Sequence, residues 1–194
     1  MTAFSTRCSK RPDPAALLLF IFFAWFIGIS PVFAEGIDVR RATLTPAEDA
    51  YVLEAQFDIA LTHSLEDALN KGVPLYFVLE LEVIRPRWYW FNERVAGSQQ
   101  TYRLSFNTLT RQYRVGAGTL HQNFPELAEA LQFMSIVRRR QDIEPGALQR
   151  GSSYVAAVRL RLDTTQLPKP FQLNALGSRE WSLASDWFRW TVAP

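Results

Sequence analysis

The 194-residue chain contains a single cysteine, Cys8, and two histidines, His63 and His121. Cys8 falls in an N-terminal stretch that reads as a removable leader, so the exported remainder is expected to use neither a disulfide nor thiol chemistry. An ordinary hydrophobic core must then hold it, and its ~160 residues suit one domain. The two histidines are far apart in the sequence, and neither has a second ligand at a customary spacing, so no metal site is expected. There is no Gly-x-Ser-x-Gly element to expose a nucleophilic serine; Ser152 and Ser178 each follow a glycine, which reads as loop. Gly116-Ala117-Gly118 is too short to cradle a phosphate and reads as a hairpin or loop. Internal repeats and low-complexity tracts are lacking as well, and no cofactor is expected.

What the chain does have begins with an address. Arg7, Lys10 and Arg11 precede the apolar run AALLLFIFFAWFIGI and then SPVFA, the basic, hydrophobic and small-residue parts of a secretory signal peptide, with cleavage expected after Ala34. The alternative is an uncleaved anchor, because the run from Ala15 to Ala34 approaches the ~20 residues that span a bilayer. Either reading puts the rest of the chain, residues 35–194, outside the cytoplasm, in the periplasm. Losing residues 1–34 removes Arg7, Lys10, Arg11 and Asp13 and leaves 18 basic residues of the 21 and 18 acidic residues of the 19. A charge-balanced exported domain lacks the basic footprint that nucleic acid requires.

Alternation dominates the remainder. IDVRRATLT and YVLEAQFDIAL read as two strands around the turn signal PAEDA, the second with Leu53, Ala55 and Phe57 on one face and Glu54, Gln56 and Asp58 on the other. SLEDALNKG reads as a short helix capped by Ser64 and stopped by Gly72. PLYFVLELEVIRPRWYWF is too long for one strand; Leu75, Phe77, Leu79, Leu81 and Val83 form its buried face, and Pro86 breaks it. TYRLSFNTLTRQYRV reads as two strands about a turn near Asn107, with Tyr102, Leu104 and Phe106 inward. NFPELAEALQFMSIVRRR reads as a helix with Leu127, Ala130, Leu131, Met134 and Val137 on one stripe, its C-terminal Arg138, Arg139 and Arg140 opposing the helix dipole. YVAAVRLRLD alternates as a half-exposed strand. The prolines of LPKPFQLNAL imply an extended segment, followed by strand-like runs around Leu173 and Leu183. Together these predict a mainly β chain, an antiparallel sandwich of immunoglobulin-like type with two short helical insertions.

Two groups of side chains stand out chemically. Glu80 and Glu82 project the same way from one strand about 7 Å apart, a spacing within the range of acid and base pairs in glycoside hydrolysis; the plainer reading is a solvated strand face. The exported part keeps five tryptophans, Trp88 and Trp90 in one set and Trp181, Trp187 and Trp190 in another, accompanied by Arg85, Arg87, Arg179 and Arg189. One reading makes them strand ends whose rings are covered by arginine; the other makes Arg85, Arg87, Trp88, Trp90, Trp181, Trp187, Arg189 and Trp190 a binding surface.

GVPLYFVLELEVIRPRWYW, LTRQYRV, FPELAEAL, YVAAVRLRLDTTQLPKPFQLNAL and SREWSLASDWFRW, taken as a set, resemble a family of exported proteobacterial proteins classed as domain of unknown function 4390, also called proline-rich signal peptide proteins. The resemblance covers residues 36–192 and implies no catalytic residues. The family's genes commonly lie beside those of a membrane sensor kinase and its response regulator, which implies, by association, a signalling accessory role. The expectation is a non-enzymatic periplasmic interaction module whose partner is a membrane sensor protein, with a glycan or lipid head group as the alternative ligand.

Overall fold

The computed structural model describes residues 36–193, except 48–49, 88, 90–91, 142, 144–146 and 150. The expected leader and its expected cleavage position therefore lie outside the described residues, as do Trp88 and Trp90. Two antiparallel sheets carry most of the described chain. The smaller has the order β1-β2-β7, with β1 at Gly36–Ala47, β2 at Ala50–Ala60 and β7 at Ile136–Gln141. The larger has the order β6-β5-β4-β3-β8-β9. Its strands are β3 (Leu75–Arg85), β4 (Glu93–Asn107), β5 (Gln112–Ala117), β6 (Leu120–Phe124), β8 (Tyr154–Leu162) and β9 (Phe188–Val192).

β3 is the spine of the larger sheet, paired with β4 on one side and β8 on the other. Its odd residues Leu75, Phe77, Leu79, Leu81 and Val83 are all buried, as their alternation predicts. Each such side chain contributes about 2 kcal/mol of burial. Cross-strand partners extend the same face: Leu104 on β4, Val115 on β5, and Ala156, Val158 and Leu160 on β8. Leu53, Ala55 and Phe57 of β2 supply the facing layer, and β1 packs over β8 and β9. The division into three and six strands, with β6-β5-β4-β3 running as a meander, differs from the four and three of an immunoglobulin constant domain.

Three α-helices lie among the described residues. α1 (His63–Asn70) buries Leu65, Ala68 and Leu69, and Gly72, at φ 90°, ends it as expected. Its cap is Thr62 rather than Ser64: Thr62 Oγ1 accepts from Leu65 N at 3.3 Å and donates to Glu180 O at 2.7 Å, while Ser64 bonds the Glu180 carboxylate. α2 (Leu127–Ser135) lies against β2, β5 and β6. It stops two residues before Val137, contrary to the long helix expected from the apolar stripe. Ile136 and Val137 are β-branched, and the ladder they start with Gln56 and Ala55 carries Arg138 opposite Glu54, with the two ionic groups 3.1 Å apart. The three arginines thus sit on an edge strand, where charge discourages pairing with another sheet. α3 (Lys169–Gly177) replaces the expected extended segment. Pro170 occupies its first turn, where a fixed φ favours a helix, and Phe171 and Gln172 donate to Pro168 O. Leu183 lies beyond it in no regular strand; its carbonyl accepts from Leu162 N.

Candidate functional site

The outward face of the six-stranded sheet gathers the polar side chains of strands far apart in the sequence. Register puts Tyr76, Val78, Glu80, Glu82 and Ile84 of β3 outward, between Arg94, Gln99, Thr101 and Arg103 of β4 and Arg159 and Arg161 of β8. Arg114 of β5 and Arg189 of β9 continue the same face. The outward positions of these strands thus hold six arginines, at 94, 103, 114, 159, 161 and 189, against two carboxylates, Glu80 and Glu82. The surplus of cations makes this face electropositive although residues 35–194 carry equal numbers of basic and acidic residues.

Glu80 is the centre of the arrangement. The residue is buried, with 6% of its surface exposed, so it is not the solvated strand residue that its alternation suggests. Arg161 donates to Oε1 through Nε at 3.1 Å and Nη2 at 3.0 Å, Arg159 Nε donates to Oε2, and Gln99 Nε2 lies 3.3 Å from Oε1. Burial pushes the carboxyl up, but the bonds from Arg159 and Arg161 outweigh it and hold its pKa below the usual value. A general acid for glycoside hydrolysis needs the opposite shift. Glu82 is paired with Arg94 at 3.4 Å. The two glutamates are therefore each engaged by arginine and not poised as an acid and base pair.

The tryptophans and arginines singled out in the sequence divide into separate groups. Trp181 belongs to the core: it is 8% exposed, on a 3-10 turn (Arg179–Trp181), with its ring 5.2 Å from that of Phe171. Trp190 is half-buried on the core side of β9 with Phe188, 5.9 Å between ring centres. Trp187 precedes β9 on the outer face, where the Arg159 guanidinium carbon lies 4.4 Å from its ring centre. Arg189 is exposed on that face.

Arg85 and Arg87 take part in a different construction at the end of β3. Arg85 Nη2 donates to Tyr154 Oη at 2.8 Å, and its guanidinium carbon sits 5.3 Å from the centre of that fully buried ring. The hydrogen bond from Arg85 lowers the Tyr154 pKa more than burial raises it. Glu93 takes ion pairs from both Arg85 and Arg87. Along β8, Tyr154 and Arg159 are five residues apart, roughly 17 Å, and point to opposite faces of the sheet. Arg85 and Trp187 are thus not parts of one surface. Of the eight residues, Trp187 and Arg189 share the cationic face, Arg85 and Arg87 close the core end, and Trp181 and Trp190 pack with the core. The cationic residues that alternation did not single out, Arg94, Arg103, Arg114, Arg159 and Arg161, meet only through strand pairing.

The chain belongs to the family described as domain of unknown function (DUF4390), whose model matches residues 34–191. No curated protein and no solved structure shows a significant match to it.

Proposed function

We infer that the protein is a non-enzymatic, exported binding module that docks an acidic external segment of a membrane protein on the outer face of its six-stranded sheet. The observation that carries this reading is the six-to-two excess of arginine over glutamate on that face, with Trp187 set among the cations. Complementary charge steers partners together and fixes their register. Tryptophan and arginine are also the residues in which binding energy concentrates. Arg189 is exposed and has no ion-pair partner among the described residues, so its charge is available to a partner.

The signal-peptide pattern at residues 1–34 supports a periplasmic location, with an uncleaved anchor in the inner membrane as the alternative. No helix among the described residues is long and apolar enough to cross a membrane. A membrane sensor kinase is the partner that the family's gene neighbourhood suggests, as an accessory relationship. Cross-linked co-purification from intact envelopes, comparing the native chain with Arg189→Glu and Trp187→Ala, tests the reading.

A further inference from the structure

At the other end of the same face, between β3, β4, β5 and β6, lies an open cavity of about 520 Å³. That volume is within the range of small-molecule sites, roughly 300 to 1,000 Å³. Its floor is Gly116, which register places in one row with Arg103 on one side and His121 on the other. A Cβ at Gly116 would meet nothing closer than Leu120 O at 3.7 Å, so the strand accommodates a side chain here, and the glycine leaves the floor open.

Two arginines border the opening. Arg114 stands opposite Ser105, two residues along from Arg103, which makes the arginines diagonal neighbours with Cβ atoms about 7 Å apart. Neither has a carboxylate partner among the described residues, and no carboxylate lines the cavity. Asp163, at the end of β8, is instead held by Thr165 and Gln166. Both guanidiniums are positioned by neutral groups. Arg103 lies over the Tyr76 ring, 5.9 Å from its centre, and Arg114 Nε donates to Asn123 Oδ1 at 2.9 Å, leaving both Nη groups without a partner among the described residues. Thr101, Ser105 and Gln166 add neutral hydrogen-bonding groups around the wall, with His121 beside them.

We propose that this cavity binds the phosphate ester of a polyol, either a soluble sugar phosphate or a polyol phospholipid head group. Two unneutralised guanidinium forks match a group that carries between one and two negative charges and several acceptor oxygens. A neutral sugar would leave both cations unpaired, whereas the hydroxyls of a polyol find partners in the neutral side chains. The site shares Arg103 and Arg114 with the cationic face inferred above to dock a partner, but does not use Trp187 or Arg189.

The test uses protein purified from cells expressing the full-length chain. Calorimetric titration with glucose 6-phosphate, glucose and inorganic phosphate covers the soluble source; co-sedimentation with phosphatidylglycerol or phosphatidylcholine vesicles covers the lipid source. The expected result is binding of glucose 6-phosphate or of phosphatidylglycerol vesicles, with glucose and phosphatidylcholine at least tenfold weaker; whichever binds names the source. Arg103→Gln and Arg114→Gln should each weaken it at least tenfold, Gly116→Val should block it, and Arg138→Gln on the other sheet should leave it unchanged. Native melting curves for the variants separate loss of the site from loss of the fold. Failure of both ligands, equal binding of inorganic phosphate, or undiminished binding by folded Arg114→Gln or Gly116→Val protein would overturn the proposal.

Discussion

The guanidinium of Arg159 lies 4.4 Å from the centre of the Trp187 ring and at the same time donates to Glu80. One side chain thereby joins the half-buried aromatic ring at the edge of the sheet to its buried carboxylate. The consequence is that the cationic face has a fixed geometry: Glu80 draws Arg159 and Arg161 together, and Arg159 in turn holds the Trp187 ring.

Removing Glu80 should therefore cost stability. Glu80→Ala leaves two arginines without their shared counter-ion, and the expected loss is about 2 to 4 kcal/mol. The cost falls below that of a wholly buried pair because the side chains of Arg159 and Arg161 remain 32% and 33% exposed. Urea unfolding should show a lower midpoint with an unchanged slope.

The same carboxylate sets part of the acid limb of stability. Its folded pKa lies below the ordinary 4.5, so its contribution is complete above about pH 4.5 and is lost as the pH falls through the lower folded value. Asp163 acts in the same direction, its ordinary value being 3.8. Melting temperature measured from pH 7 to pH 2 should fall less steeply on the acid side for Glu80→Gln than for the native chain.

Trp181 and Trp187 should respond differently to truncation. Trp181→Ala empties a core position packed against Phe171 and is expected to cost about 3 to 5 kcal/mol. Trp187→Ala loses mainly its contact with Arg159, worth about 1 kcal/mol. Comparable losses in denaturant unfolding would contradict the placement of the two rings.

Thr62 and Ser64 make a second contrast. Thr62 caps α1 and also bonds the carbonyl of Glu180, tying the helix to the turn that carries Trp181. Thr62→Ala should destabilise by about 1 to 2 kcal/mol. Ser64→Ala, which loses only an exposed bond to the Glu180 carboxylate, should cost less than about 0.5 kcal/mol.

The elements that the sequence disclosed are those whose side chains alternate. Leu75 to Val83 on β3 and Ala156 to Leu162 on β8 have one apolar face each, and period-2 patterning shows that face directly. Gly72 and the Gly118 hairpin were visible because a left-handed backbone position favours glycine. Where pairing decides, local pattern misleads. Val137 continues the apolar stripe of α2, yet the ladder with Ala55 takes it into β7. Pro168 and Pro170 read as extended because a residue before proline avoids the helical region, whereas the proline itself is suited to starting one. The charge cluster was illegible for the same reason as the topology. Glu80 and its two arginines are 79 and 81 residues apart, and only the register of β3 with β8 brings them together.

The most direct measurement is cross-linked co-purification of the C-terminally tagged chain from intact envelopes at low and high ionic strength. The account predicts specific recovery of a membrane protein with an acidic external segment, weakened by salt and reduced by roughly 30-fold in Arg189→Glu, the effect of a contact worth about 2 kcal/mol. Recovery unchanged by salt and by both Arg189→Glu and Trp187→Ala, or recovery of no membrane protein at all, would contradict docking through the outer face.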